Sequence, residues 1–64
     1  MTLNGQPYSL NGPASISELL RQAGYEPERV AVLLNGEIVS REAFGTTEIG
    51  GEDALEVLSF VGGG

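Results

Sequence analysis

Three consecutive glycines end the chain, and the last of them, Gly64, supplies a terminal carboxylate. They follow the apolar run Leu58-Ser59-Phe60-Val61 without any polar tail. A frayed terminus would explain glycines here, because the last residues of a domain are often poorly ordered. The alternative is chemical, since glycines leave no side chain in the way of a partner that must reach the carboxylate. This second interpretation makes Gly64 the candidate reactive residue.

A carboxylate resists nucleophiles until one of its oxygens has been converted into a leaving group. Once a leaving group has been attached, a nucleophile could attack the carbonyl carbon. Glycine at Gly63 and Gly64 lets the backbone lie in a narrow channel with both faces of that carbonyl open. We therefore expect Gly62 and Gly63 to thread the tail into the active site of a partner.

The composition disfavours chemistry located elsewhere in the chain. There is no cysteine and no histidine, so the commonest nucleophiles, bases and soft metal ligands are missing. Glu52, Asp53 and Glu56 lie close together in the sequence, but acidic runs of this kind are usually solvated. We predict a protein that is not an enzyme, with no catalytic side chain, no metal site and no bound cofactor.

Size and charge limit the partners. A chain of 64 residues has room for one domain with a small core. The net charge of −6 disfavours nucleic acid and anionic membranes and favours basic protein partners. No apolar stretch approaches the ~20 residues that span a bilayer, and Met1 to Gly5 lack the pattern of a leader. We expect a cytoplasmic protein.

Local signals predict the order of the elements. Asn4-Gly5 and Asn35-Gly36 separate short apolar runs, as in two-residue hairpins. Ser15 and Glu18 fit a capping box that starts a helix, and Gly24 ends it. The predicted elements are a first hairpin (1–4 and 6–10), a helix (16–23), two strands (30–34 and 37–39), a helical turn (40–44), a loop (46–51) and a last strand (54–60).

This order predicts an α+β fold of the β-grasp (ubiquitin-like) type, a mixed sheet of four or five strands with one main helix packed on one face. The helix should provide a right-handed crossover onto a parallel neighbouring strand. The last strand is then free to lie beside the first in the centre of the sheet. We expect one domain over residues 1–61 and a flexible glycine tail over residues 62–64.

A single helix leaves the other face of the sheet uncovered. Alternation points Leu55 and Val57 toward the helix and Leu58 and Phe60 away from it, with Leu33 also facing away from a neighbouring strand. Isolated exposed apolar residues are common, whereas a contiguous group marks an interaction site. We interpret Leu33, Leu58 and Phe60 as a docking patch beside the tail.

The chain resembles the ThiS family of ubiquitin-like sulfur carriers over essentially its whole length. The resemblance lies in three stretches and the terminal Gly63-Gly64 pair: ISELL (16–20), VAVLLNGEIVSRE (30–42) and GEDALEV (51–57). One departure is Gly62, where many members of the family have a bulkier residue such as alanine. This departure makes the tail more flexible without altering its reactive end.

The resemblance implies a cycle of activation and sulfur transfer in thiamine biosynthesis. An E1-like adenylating enzyme of the ThiF type would use ATP and Mg to convert the Gly64 carboxylate into an acyl adenylate. Sulfur from a persulfide donor would replace AMP and leave a thiocarboxylate, which would give its sulfur to a thiazole synthase of the ThiG type. Alternatives are sulfur delivery for molybdopterin or tRNA thiolation, a ubiquitin-like modifier joined to lysines through Gly64, and a purely structural interaction module.

Overall fold

A computed structural model describes residues 1–10 and 12–59, which contain seven short strands, one α-helix and two 3-10 helices. The helix α1 covers Ile16–Ala23, and the 3-10 helices cover Pro27–Arg29 and Arg41–Ala43. The strands are β1 (Thr2–Leu3), β2 (Gln6–Pro7), β3 (Ala14–Ser15), β4 (Val30–Leu34), β5 (Glu37–Val39), β6 (Glu48–Ile49) and β7 (Ala54–Ser59).

Five of the strands form one mixed sheet in the order β2-β1-β7-β4-β5. β7 is parallel to β1 and antiparallel to β4, so the last strand lies in the centre beside the first, as predicted. With α1 packed on one face, the sheet confirms the β-grasp fold. We expected α1 to lead from the first hairpin to a parallel strand directly beside it. That prediction is wrong, because α1 leads to β4 and β7 lies between β4 and the first hairpin.

Local hydrogen bonds fix both ends of α1 at the predicted residues. The Ser15 hydroxyl accepts from the Glu18 backbone N–H at 3.1 Å, while the Glu18 carboxylate accepts from the Ser15 N–H at 3.0 Å. These bonds satisfy donors that the first turn of a helix leaves without partners. At the other end, Gly24 adopts a left-handed conformation with φ of 87°. The helix therefore stops after two turns.

The two Asn-Gly pairs form the predicted hairpin turns. Asn4 and Asn35 have φ values of 53° and 52°, and the φ angle of the glycine that follows each of them is also positive. Positive φ at both central residues is the requirement of the type I′ turn, which matches the twist of the flanking strands. The first hairpin is shorter than predicted, since its second strand ends at Pro7 instead of continuing to residue 10. Pro7 lies on the edge strand β2, as its missing N–H requires.

One predicted loop contains a strand. Glu48–Ile49, inside the predicted loop 46–51, pairs antiparallel with Ala14–Ser15 in a separate two-stranded sheet. Strands of two residues have no alternation to recognise, so their pairing leaves no periodic signal in the sequence. The consequence for packing is large, because Ile49 is completely buried.

The core lies between α1 and one face of the sheet. It contains only apolar side chains, and no polar or charged residue is buried in the described part of the chain. The buried residues are Ile16, Leu19, Leu20, Val30, Val32, Phe44, Ile49, Leu55 and Val57.

The predicted last strand ran to Phe60, and the described strand ends at Ser59. Phe60, the domain boundary at residue 61 and the tail of residues 62–64 lie outside the described residues. No helix within 1–10 and 12–59 combines the length and apolar character that a membrane crossing needs.

Candidate functional site: the open face and the end of the last strand

The face of the sheet away from α1 presents a group of side chains that strand pairing brings together. Leu33 in β4 lies opposite Ile38 in β5 and opposite Glu56 in β7, and Ala31 lies opposite Leu58. Side chains opposite one another on the same face of paired strands are in contact range. We call these five residues the open face.

The open face exposes two large apolar side chains. Ile38 is 76% exposed and Leu58 is 53% exposed, while Leu33 and Ala31 are half-buried. Leu33 and Leu58 therefore lie on one face and on adjacent strands, although they are diagonal neighbours and not directly opposed. Phe60, the third member of the predicted docking patch, falls outside the described residues, and the docking role of all three stays a prediction.

Ile38 is the residue that the sequence interpretation missed. The signal was present, because a two-residue turn at Asn35-Gly36 fixes the register of the strands that it joins. Counting outward from that turn pairs Leu34 with Glu37 and Leu33 with Ile38, as observed. Ile38 must then share the face of Leu33.

Glu56 places a carboxylate within this apolar group. It lies between the first hairpin and β4, opposite Leu33 and two residues before Leu58 in the same strand. A surface of this kind suits a partner with an apolar contact area and a cationic side chain positioned over Glu56.

A groove of about 400 Å³ adjoins the open face where β5 ends and the chain turns into the second 3-10 helix. The lining residues are Val30, Ala31, Ile38, Val39, Ser40, Arg41 and Phe44. The groove can accept an apolar side chain from a partner that covers Ile38.

The strand that leads to the tail ends beside a second, smaller concavity. Ser59, the last described residue, pairs with Val30 at the beginning of β4. A concavity of about 250 Å³ lies there, lined by Gly24, Tyr25, Glu26, Arg29, Val30 and Ser59. An exposed ion pair between Arg29 and Glu26, with N and O atoms 3.0 Å apart, forms part of its rim.

The acidic residues before β7 have a structural explanation. Asp53 Oδ2 accepts from the Gly50 N–H at 2.8 Å, and Asp53 Oδ1 accepts from Asn35 Nδ2 at 3.1 Å. The Gly50 bond, followed by the Asn35 bond, lowers the pKa of Asp53. Asn35 Oδ1 in turn accepts from the Ala54 N–H at 2.9 Å. These bonds fix the start of β7, at the opposite end from the tail.

No metal centre is formed by these carboxylates. Within the residues that the structure covers, no three Asp or Glu side chains converge on a point where a metal ion could bind. Asp53 uses both of its oxygens inside the turn.

A mixed five-stranded sheet that holds one helix, with its central last strand leading to a terminal Gly-Gly, defines a ubiquitin-like β-grasp protein. Comparison with protein families gives the particular family, because the match to the ThiS family covers residues 1–64. The chain belongs to the ThiS family, whose members are small sulfur carriers of thiamine biosynthesis and not catalysts.

Solved structures agree with this assignment. The crystal structure of the thiamine biosynthesis protein ThiS from Geobacter metallireducens is 42% identical and superposes with a TM-score of 0.81, covering 98% of this chain and 96% of that one. A solution structure of a thiamine biosynthesis protein from the same organism gives a TM-score of 0.80 at 42% identity, covering 98% of this chain and 85% of that one.

Two kinds of curated relative are similar in sequence. A protein of Magnetococcus marinus named thiazole synthase is 39% identical over 62 residues, which are 97% of this chain and 19% of that protein. The chain thus spans about a fifth of the length of this relative. The uncharacterized protein ycf40 of Pyropia yezoensis is also 39% identical over 62 residues, covering 97% of this chain and 87% of that protein.

Proposed function

We propose that this chain carries sulfur for thiazole formation in thiamine biosynthesis, as a thiocarboxylate on Gly64. The observation that best supports this function is membership of the ThiS family over a match that includes the terminal Gly-Gly. The chain also has no cysteine, so it offers no side-chain thiol for the sulfur. The carrier binds no cofactor itself, and its partner uses ATP and Mg.

The first step activates the carboxylate. An oxygen of the Gly64 carboxylate attacks the α-phosphorus of ATP in an adenylating enzyme of the ThiF type, and pyrophosphate leaves. The resulting acyl adenylate has AMP as its leaving group. Gly62 and Gly63 let the end of the chain enter the enzyme, because their backbone needs no room for side chains.

The second step introduces sulfur. The terminal sulfur of a persulfide donor attacks the carbonyl carbon and AMP leaves, which joins donor and carrier through an acyl disulfide. A thiol then attacks the donor's sulfur, so that a new disulfide forms and the carrier is released with a thiocarboxylate. When the sulfur has been transferred during thiazole formation, an oxygen replaces it and the Gly64 carboxylate is restored.

The partner that consumes the sulfur is a thiazole synthase of the ThiG type. In Magnetococcus marinus, one protein named thiazole synthase includes a segment similar to nearly all of this chain, which links the two within one polypeptide. We propose that the open face docks on such partners through Leu33 and Leu58, with Phe60 continuing the contact toward the tail. The exposure of Ile38 and Leu58 supports this surface, since contiguous apolar residues mark interaction sites.

The function is tested by mass measurement of the intact protein after incubation with an adenylating enzyme, MgATP and sulfide. We expect the mass gain of one oxygen exchanged for sulfur, located at Gly64 by fragmentation. Deletion of Gly63 and Gly64 together, which leaves no terminal Gly-Gly pair, should abolish the gain. Failure of the wild-type chain to gain sulfur with a thiamine-pathway enzyme would contradict the proposal, and a ladder of lysine conjugates would indicate a modifier.

A matched pair of substitutions tests whether the tail must lack side chains. Gly63→Ala adds one methyl group in the tail, and we expect it to slow thiocarboxylate formation strongly. Gly45→Ala adds the same methyl group at a position where it would meet no atom within 4 Å, and it should leave the rate unchanged. Equal rates for both variants would contradict the narrow-channel explanation.

A further inference from the structure

The final part of β7 is paired on one side only. On the β4 side, pairing continues to the end of the strand, where Ser59 lies opposite Val30. On the β1 side it stops early, because β1 ends at Leu3, which lies beside Leu55. Among residues 1–10 and 12–59, no strand therefore lies beside the edge of β7 that faces away from β4 beyond Leu55.

The hydrogen bonds of β7 show which backbone groups point to this edge. The Leu55 C=O accepts from the Asn4 N–H at 2.9 Å, and the Val57 N–H donates to Asn4 Oδ1 at 2.8 Å. The Ala54 C=O points the other way and accepts from the Asn35 N–H at 2.8 Å. Because successive residues of a strand direct their polar groups to opposite sides, the Val57 C=O and the Ser59 N–H point away from β4.

Neither of these two groups has a partner among the described residues. The Asn4 side chain supplies the last bond on this edge, and its Nδ2 donates to the Tyr25 hydroxyl at 3.2 Å. Tyr25 and Ser59 both line the concavity of about 250 Å³. Within the part of the chain that the structure describes, an acceptor and a donor without partners thus lie at strand spacing, and Ser59 also lines a concavity large enough for a side chain.

We propose that the protein partner that receives the tail adds an extended segment beside β7, bonded to the Val57 C=O and the Ser59 N–H. This inference rests on the proposed function. An extended main chain provides the complementary donor and acceptor, and an exposed strand edge is a template for such pairing. One side chain of the added segment would enter the concavity between Tyr25 and Ser59.

Charge argues for a different protein as the occupant rather than a second copy of this chain. Two copies would each bring a net charge of −6 to the contact. Like charges in this arrangement are unfavourable. A partner strand extends the pairing toward the tail and fixes its direction before the chemistry begins.

Amide hydrogen exchange provides the direct test. In the free chain, the Ser59 amide should exchange rapidly, while the amide of Leu58, which points to β4, should be protected. Saturation with an adenylating enzyme or a thiazole synthase should slow Ser59 exchange at least about tenfold, the factor that corresponds to one hydrogen bond. Unchanged Ser59 exchange in the complex, or no complex with either enzyme, would overturn the inference.

Two substitutions separate the amide from the side chain. Ser59→Pro removes the free N–H, whereas Ser59→Ala keeps it and removes only the hydroxyl. We expect the proline variant to bind the partner at least about tenfold more weakly than the alanine variant. Both variants should have the urea midpoint of the wild type. Leu58→Pro should have a lower midpoint, because it removes an amide N–H that points to β4.

The outcomes distinguish this inference from the function on which it rests. If the wild-type chain forms a thiocarboxylate but the proline and alanine variants bind equally, the function stands and the strand addition is overturned. If Ser59 is protected by a partner and no thiocarboxylate forms, the strand addition is supported and the function fails. If the Ser59 amide becomes protected from exchange when only the concentration of this chain is raised, the added strand comes from a second copy. This result would overturn the proposal that a different protein supplies it.

Discussion

The two faces of the sheet use the same residue types for different purposes. Leu55 and Val57 on the helix face are 0% and 6% exposed, while Leu58, the next residue of the same strand, is 53% exposed. The helix face is covered by α1, and none of the residues buried there is polar in the described part of the chain. The open face keeps leucine and isoleucine uncovered around a carboxylate. Apolar character therefore does not reveal the role of a residue in this protein, whereas its position in the strand register does.

The largest effect should come from the helix face. Leu55→Ala removes a fully buried side chain from the middle of the core, and we expect a loss of about 2–5 kcal/mol in the free energy of unfolding. Urea denaturation followed by circular dichroism measures the loss. Leu58→Ala is the control, with a change of about 0.5 kcal/mol or less. Similar losses for the two variants would remove the distinction between the faces.

The open face should show the opposite pattern when binding is measured. Leu58→Asp places a second carboxylate near Glu56, and we expect partner affinity to fall at least about tenfold, or 1.4 kcal/mol. The urea midpoint should remain near that of the wild type. Calorimetric titration with the adenylating enzyme gives the affinity. Wild-type affinity in this variant would exclude Leu58 from the docking surface.

The strand shared by the two faces depends on one side chain at its beginning. Asn35→Gly keeps the positive φ of the turn but removes the bonds to Ala54 and Asp53. We expect the free energy of unfolding to fall by about 1–2 kcal/mol, since each net hydrogen bond contributes about 1 kcal/mol. Gly45→Ala provides the urea control. An unchanged midpoint for Asn35→Gly would show that the turn alone holds β7.

The smallest effect on the free energy of unfolding should appear only at acidic pH, because neither face of the sheet buries an ionisable group in the described residues. The bonds from Gly50 and Asn35 lower the pKa of Asp53 in the folded state. Its contribution to stability is therefore complete above the unfolded-state pKa of about 3.9 and is lost as the pH falls through the lower folded-state value.

Urea unfolding between neutral pH and the acid limit tests this assignment. Asp53→Asn should lose less stability on acidification than the wild type does. Glu18→Gln should behave similarly, because the Ser15 backbone N–H and then its hydroxyl lower the pKa of Glu18. Glu28→Gln controls for the loss of a negative charge. Identical acid dependence of the Asp53→Asn variant and the wild type would contradict the role of Asp53.

Local signals in the sequence predicted the elements that local interactions determine. The bounds of α1 follow from Ser15, Glu18 and Gly24, and both hairpin turns follow from their Asn-Gly pairs. The inward side of β7 also followed from simple alternation. Each of these features depends on residues only a few positions apart, so the chain itself contains the information.

Features that depend on distant residues were harder to predict. The pairing of Glu48–Ile49 with Ala14–Ser15 joins short segments more than thirty residues apart in the chain, without any periodic pattern. The exposure of Ile38 required the register to be carried across a turn. The free edge of β7 follows from the early end of β1, and no residue near Ser59 indicates where β1 ends.

The central place of β7 also determines when the sheet can form. In the described five-stranded sheet, β7 joins β1 to β4. Residues 1–53 therefore contain two hairpins of this sheet, α1 and the β3–β6 pair, but not the strand that joins the hairpins. Closing this gap pairs Thr2 with Ala54, a contact that requires almost the whole described chain to be ordered. On the ribosome, the domain should remain unfolded until β7 has emerged. Folding is therefore coupled to completion of β7, the strand that precedes the C-terminal glycines.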